Sequence, residues 1–252
     1  MKVIGIIPAR YQSTRLPHKP LVSILGKPLI LHVYEQVSQA KILDKVIVAT
    51  DHRKIAEVIK KAGGDVVMTG HCASGTDRVA EAAHQIKADI IVNIQGDEPL
   101  IDPRMIEEAL VPFSSKSIVM GTVAQAMVDP SDLSNPNIVK VAVSRKGFAL
   151  YFSRSPIPFP YDAVMAPSKG NEKEALGGFF KHIGLYVYRK DFLQTFAGLK
   201  PGVLEQTEHL EQLRALEYGY NIRVVETKYG SIGVDTLEDV KKVEALMKER
   251  KS

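Results

Sequence analysis

The 252-residue sequence predicts an α/β fold, with a mostly parallel central sheet flanked by helices and a smaller antiparallel or mixed β extension. Three observations carry this expectation. Val3, Ile4, Ile6 and Ile7 form a nearly unbroken β-branched run, as expected of a central parallel strand covered on both faces. Apolar runs of this kind then alternate with helical periodicity through the first part of the chain. From residue 117 onward the pattern changes to short strands that follow one another without helices between them.

In chain order, Pro8 has no N–H to give a ladder, so the first strand is expected to leave the sheet there. Pro17 and Pro20 hold the following loop extended while it presents Arg10, Arg15 and Lys19. Gly26, Lys27 and Pro28 turn into a helix with Leu29, Leu31, Val33, Val37 and Ala40 on its pattern. Residues 45–49, KVIVA, make the second strand, ending at Thr50 and Asp51, and Ile55, Ala56, Val58 and Ile59 mark a helix stopped by Gly63 and Gly64. A short strand over 65–69 leads to a helix that Thr76 or Asp77 caps and that runs to about Ile86, so Ser74 and Arg78 lie at a strand-to-helix junction. The strand DIIVNI over 89–94 ends in Gln95, Gly96, Asp97, Glu98 and Pro99, and Asp102 and Pro103 read as the cap and first position of the next helix.

The second half contains the strands SIVMGTVAQAM, IVKVAVS, FALYFS and HIGLYVYR. Ser155 to Gly178 is too long for an ordinary connector and reads as a lid, a dimer arm or a mobile loop. A helix over 203–218 is expected to turn Leu210, Leu213 and Leu216 inward, with Glu205, Glu208, Glu211 and Gln212 on its other faces. After the strand IRVVET, Asp235 stands before a terminal helix on which Thr236 and Asp239 have capping-box spacing.

At 45% hydrophobic residues the chain can bury a large core. Its net charge of +4, mixed along the sequence without a long basic block, does not imply nucleic-acid binding and suits a small polyanion better. Cys72 is the single cysteine, which excludes an intramolecular disulfide and a cysteine-rich zinc site. There is no signal-peptide pattern and no apolar run near the ~20 residues that span a bilayer, so a cytoplasmic protein without membrane insertion is expected.

Several residues have two readings on spacing alone. The loop bearing Arg10, Arg15 and Lys19 is either a basic surface loop or a phosphate site at the end of a central strand. It carries neither a Walker A motif nor a GxGxxG fingerprint, which disfavours P-loop ATPases and dinucleotide binders. Asp97 is either a turn residue or an oxygen ligand for Mg²⁺, which binds through one or two carboxylates plus phosphates. His182 and Tyr186 share a face of their strand, where a histidine is either structural or part of a site.

The segments PARYQSTRLPHKPL, SGTDRVAE, NIQGDEPLI, FSRSPIP, KHIGLYVYR, TEHLEQLR and GVDTLEDV resemble the sugar nucleotidyltransferases, within them the cytidylyltransferases that activate the sugar acid 3-deoxy-D-manno-octulosonate, Kdo. The resemblance covers residues 3 to about 243. It implies a Rossmann-like nucleotidyltransferase fold, one domain over residues 1–252, and a contribution of 144–190 to the substrate site and to a homodimer. It also implies transfer of CMP from CTP to Kdo with Mg²⁺ as cofactor, for lipopolysaccharide biosynthesis.

By the same resemblance Arg10, Arg15 and Lys19 meet the triphosphate, with Ser13, Pro8 and Ala9 assisting, and Thr50, Ser74, Arg78 and Gln95 surround the cytidine. Asp97 and Asp235 hold Mg²⁺, while Arg154, His182, Tyr186, Glu211 and Gln212 form the sugar-acid site, with Glu208 as a neighbouring candidate. Cations that neutralise the triphosphate make the α-phosphorus accessible to a hydroxyl. No Ser, Cys or His nucleophile and no covalent enzyme intermediate are therefore expected. The alternatives are a cytidylyltransferase for 8-amino-Kdo or another sugar acid, a metal-dependent glycosyltransferase, and a nucleotide sensor without turnover.

Overall fold

The structure, a computed structural model, describes residues 1–13, 15–161 and 178–249. In chain order its strands and α-helices begin with β1 (Val3–Ala9), β2 (Ser23–Ile24), β3 (Lys27–Pro28), α1 (Leu29–Val37), β4 (Lys45–Thr50), α2 (Arg53–Lys61) and β5 (Asp65–Met68). They continue with α3 (Gly75–His84), β6 (Ile90–Asn93), α4 (Pro103–Leu110), β7 (Met120–Ala126), α5 (Pro130–Ser134), β8 (Lys140–Val143) and β9 (Ala149–Ser153). The last are β10 (Phe180–Arg189), α6 (Lys190–Ala197), α7 (Val203–Glu208), α8 (Leu213–Glu217), β11 (Ile222–Glu226) and α9 (Leu237–Glu249). Most of the stretch read as a lid or arm lies outside the described residues. No described helix is long and apolar enough to cross a membrane.

The chain forms two compact units, the first from Met1–Glu107, Leu185–Ala197 and the segment from Gly230 onward, the second from Glu108–Gly184 and Gly198–Tyr229. Of the expected extension, residues 144–161 and 178–184 fall in the second unit and 185–190 in the first.

In the first unit β1 is central, parallel to β4 on one side and to β6 on the other. Beyond β4 lies parallel β5, and the second half of β10 runs antiparallel along β6 with Tyr186 opposite Asn93. Burial explains this order: Ile4, Ile6 and Ile7 of β1 and Ile90, Ile91 and Val92 of β6 are wholly enclosed, each such isoleucine contributing roughly 1.5–3 kcal/mol relative to exposure. The chain moves outward from β1 to β4 and β5, then returns through α3 to β6 on the other side of β1. Right-handed crossovers put α1 and α2 on one face and α3 on the other, and a ligand crevice opens where the strand order reverses, at the carboxyl end of β1.

Pro8 stays in β1, opposite Ala49, and Ala9 follows it opposite Thr50, which corrects the expected exit. The carbonyls of Lys2 and Ile6 face β6, and Pro8 shares their side, where the β6 pairing has already ended at Ile6 opposite Asn93. The missing N–H therefore costs no ladder bond. Gly96 approaches this point so closely that a Cβ on it would lie 2.7 Å from the Pro8 carbonyl oxygen. Gly96→Ala is expected to lower stability by about 1–3 kcal/mol, since backbone must give way. Denaturant unfolding measures this, and an unchanged midpoint would count against the packing.

α3 is capped by Ser74, two or three residues before the expected Thr76 or Asp77. The Ser74 hydroxyl accepts from the Asp77 N–H and the Asp77 carboxylate accepts from the Ser74 N–H, both at 3.0 Å, a reciprocal capping box. At α4 the expectation holds, with Asp102 Oδ1 accepting from the Arg104 N–H at 2.9 Å.

In the second unit β11 runs parallel to β7, while β8 pairs antiparallel with β9 and with the first residues of β10. Lys140 is wholly buried among them, its ammonium donating to the carbonyls of Asn135, Ile138 and Arg154, which satisfies its donors although burial still lowers its pKa. The helix expected over 203–218 is two helices. His209 takes a left-handed conformation, φ 52°, that ends α7, and α8 begins only at Leu213. Leu210 and Leu213 are buried as expected, Leu216 only half so.

Candidate active site

The carboxyl ends of β1 and β6, the loop after β1 and the first turn of α3 enclose a cavity of about 420 Å³, within the ordinary range of ligand pockets of ~300–1,000 Å³. Pro8, Ala9, Arg10, Ser13, Arg15 and Lys19 line it, as do Ser74, Arg78 and Gln95 on the opposite wall and Asp97 and Asp235. Eleven sequence-predicted residues thus meet in one place within the first unit. Thr50 does not line the cavity; it is wholly buried and its hydroxyl accepts from the His52 N–H at 3.3 Å. Pro20, Cys72, Ala73, Gly75 and Gly96 also line the cavity without having been singled out for it. Their signal was position, since each lies within two residues of a chosen one.

Four cationic side chains face two carboxylates here. Asp97 follows β6, and the Val234 N–H bonds the Asp97 carbonyl at 2.9 Å, which brings the loop before α9 alongside. Thr236 caps α9 reciprocally with Asp239, so Asp235 is left to point into the cavity. Lys19 Nζ lies 2.5 Å from Asp97 Oδ2 and 2.9 Å from Asp235 Oδ1, and Arg15 Nη1 lies 2.9 Å from Asp235 Oδ2. Burial works against the Lys19 ammonium, but the attraction and hydrogen bonds of Asp97 and Asp235 outweigh it and leave its pKa above the ordinary value. Lys19 is therefore a fixed cation.

The two carboxylates converge on one positive centre, and their hard oxygen donors fit Mg²⁺. Among the described residues no group of three or more His, Cys, Asp or Glu gathers as a metal site. Next to Asp97, Glu98 is pushed up to about 7 by burial and by the Asp97 charge.

Arg78 is buried, and its Nη2 bonds Asp51 Oδ2 at 2.9 Å, with Nη1 on Thr69. Cys72 bonds the Glu81 carboxylate, and burial together with that bond pushes its thiol up to about 11, which favours the protonated thiol near neutral pH.

The residues carried over for the sugar acid are distributed between the two units. Tyr186 lies in the first, buried and stacked on Tyr188. Arg154, His182, Glu211 and Gln212 lie in the second. There the Arg154 guanidinium donates to the carbonyls of Glu208, Pro136 and His209, while the Glu208 carboxylate accepts from Ser153 Oγ and the Arg154 N–H. Glu208 and Arg154 thus brace the end of α7 against β9. The break at His209 also means that Glu208 is not one helical turn from Glu211 and Gln212. Gln212 is buried, and its amide Nε2 has no hydrogen-bond partner among the described residues, a donor that a bound acceptor would satisfy.

The His182 imidazole meets the Thr122 hydroxyl at 2.9 Å and stands edge-on to Phe152, and burial pushes its pKa down to about 3. Between about pH 3 and 6.5 the unfolded chain binds a proton at this position that the native state does not, so the stability it contributes falls as pH drops through that window. His182→Gln is expected to flatten this part of the stability profile. Urea unfolding from pH 4 to 7 checks it, and an equally steep acid dependence in the variant would contradict the burial.

The pattern of the cytidylyltransferase family matches residues 4–226. A 3-deoxy-manno-octulosonate cytidylyltransferase of Syntrophotalea carbinolica is 54% identical over 97% of this chain and 98% of its own, and one of Geobacter metallireducens is 52% identical over 96% of each. Among solved structures, a CMP:2-keto-3-deoxy-manno-octonic acid synthetase complexed with CTP superposes with a TM-score of 0.90 at 42% identity, covering 99% of this chain and 100% of that one. A 4-diphosphocytidyl-2C-methyl-D-erythritol synthase from Anaerococcus prevotii, 12% identical with a TM-score of 0.65, shares the fold. With its matches running nearly end to end, the chain belongs to the cytidylyltransferase family, in the branch formed by the 3-deoxy-manno-octulosonate cytidylyltransferases.

Proposed function

We propose that this protein transfers CMP from CTP to the anomeric hydroxyl of Kdo, forming CMP-Kdo and pyrophosphate for lipopolysaccharide assembly. The observation that carries the reading is the convergence of the basic loop, the first turn of α3 and two carboxylates on one cavity. A triphosphate needs just such a combination of cations and metal-binding oxygens, and nearly full-length relatives of this name support the choice of sugar acid.

Arg10, Arg15 and Lys19 bind the triphosphate oxygens and screen the charge that repels an incoming hydroxyl, with the N–H groups at the start of α3 adding their positive pole. Ser74, Arg78 and Gln95 hold the cytidine. Asp97 and Asp235 are the residues that would hold Mg²⁺, which would supply Lewis-acid charge to the phosphoryl group. The fixed Lys19 ammonium keeps both carboxylates gathered and orients them toward the phosphates. The anomeric oxygen attacks the α-phosphorus in line with the departing pyrophosphate, with no enzyme nucleophile. Tyr186, Arg154, His182, Glu211 and Gln212 serve the sugar acid, the unsatisfied Gln212 amide being the best supported donor. We place the enzyme in the cytoplasm as a homodimer, in keeping with the family resemblance.

The test is pyrophosphate release with CTP and Mg²⁺, comparing Kdo, 8-amino-Kdo and a sialic acid, with UTP as nucleotide control. Fast release with CTP and Kdo is expected. Release only with another acceptor would replace the substrate, and CTP binding without release from any pair would leave a sensor.

A further inference from the structure

The loop that lines the cavity with cations is closed at its neck by aromatic rings. Tyr11 directly follows Arg10 and His18 directly precedes Lys19, and their rings stack with centroids 4.1 Å apart and planes at 29°. The other face of Tyr11 stacks on His52, 3.6 Å apart and inclined by only 9°. His52 is itself fixed, because its Nδ1 accepts from the Lys54 N–H at 3.2 Å as the N-cap of α2.

Two further observations converge on the same neck. His18 occupies the left-handed region, φ 55° and ψ 33°, where a glycine would be free of strain and a histidine is not. A side chain kept at such a position points to a use for its ring. The Tyr11 N–H also donates to Asp51 Oδ1 at 3.1 Å, while Asp51 Oδ2 accepts from Arg78 on the opposite wall of the cavity. One carboxylate thus ties the root of the basic loop to the arginine facing it.

We propose that the His18–Tyr11–His52 stack is a clamp that positions the triphosphate-binding loop, with Asp51 coupling that loop to Arg78. The three rings are positioning residues. They act through Arg10, Ser13, Arg15 and Lys19 by fixing where the loop leaves β1 and where it returns. The clamp rests on the proposed cytidylyl transfer for its purpose, but not for its geometry.

The experiment compares Tyr11→Phe, Tyr11→Leu, His52→Asn and His18→Gly in the full chain. His52→Asn keeps a capping oxygen without the ring, and His18→Gly removes the ring while relieving the backbone. Proton NMR reads the stack directly, since ring currents of Tyr11 shift the His18 and His52 ring protons upfield. Those shifts are expected to persist in Tyr11→Phe and to vanish in Tyr11→Leu. In the three variants that lose stacking, KM for CTP is expected to rise about ten- to a hundredfold, while KM for the sugar acid stays within about twofold. Tyr11→Phe should behave as wild type. Wild-type CTP KM in His18→Gly and His52→Asn would overturn the clamp, as would absent ring shifts in the wild type. Intact ring shifts in a wild-type protein that neither binds nor consumes CTP would overturn the functional reading, and the clamp's purpose with it.

Discussion

Asp97→Asn and Asp235→Asn are each expected to lower turnover with CTP and Kdo by at least about a hundredfold. Both carboxylates converge on one cation, and each arrives by a different route, one from the end of β6 and one from the residue just ahead of the α9 cap. Asp235 is not consumed by helix capping, which falls to Thr236 and Asp239, so both carboxylates are left to meet the cations of the cavity. Asparagine preserves shape while removing the charge that a hard cation requires, so the loss should appear in kcat more than in stability. Steady-state rates over a range of Mg²⁺ concentrations, with unfolding curves for both variants, give the measurement. Near-normal turnover in two folded variants would refute the metal assignment.

Lys19→Gln is expected to reduce kcat/KM for CTP by about 10²–10³-fold. The side chain is only 18% exposed and bonds both carboxylates, so the ammonium is already aimed before any ligand arrives. Preorganised charge of this kind costs no reorganisation at the moment of reaction, which is why it outweighs a mobile surface cation. The substitution also leaves Asp97 and Asp235 close together without their shared cation, so stability without divalent metal should fall as well. Arginine is not an equivalent replacement, because its longer planar guanidinium spreads over several atoms the charge that the compact ammonium concentrates between the two carboxylates. Initial-rate kinetics with varied CTP decide this, and a change within about twofold would contradict the role.

The central strands were legible because burial on both faces leaves an unbroken apolar signature, as in Val3 to Ile7 and Ile90 to Val92. The basic loop and Asp97 were legible as positions at strand ends. Their meeting with Asp235 was not, since spacing carries no information on contacts between remote segments; only the family resemblance linked them. Local chemistry misled where two solutions compete. Ser74 and Thr76 can both cap α3, and Ser74 prevails because Asp77 answers it. His209 breaks an otherwise good helical pattern by adopting a backbone conformation that its residue type rarely takes. The ring stack on Tyr11 left no periodic signal, because its three members come from a loop root, a loop end and the cap of a different helix.

Direct transfer of the cytidylyl group to the sugar acid is tested most directly by the stereochemistry at the α-phosphorus. CTP bearing sulfur in one configuration at that atom is turned over with Kdo, and the configuration of the product is determined. A single in-line attack by the anomeric oxygen predicts inversion. Retention would require two successive displacements, hence a cytidylylated enzyme, and would contradict the mechanism drawn from this cavity.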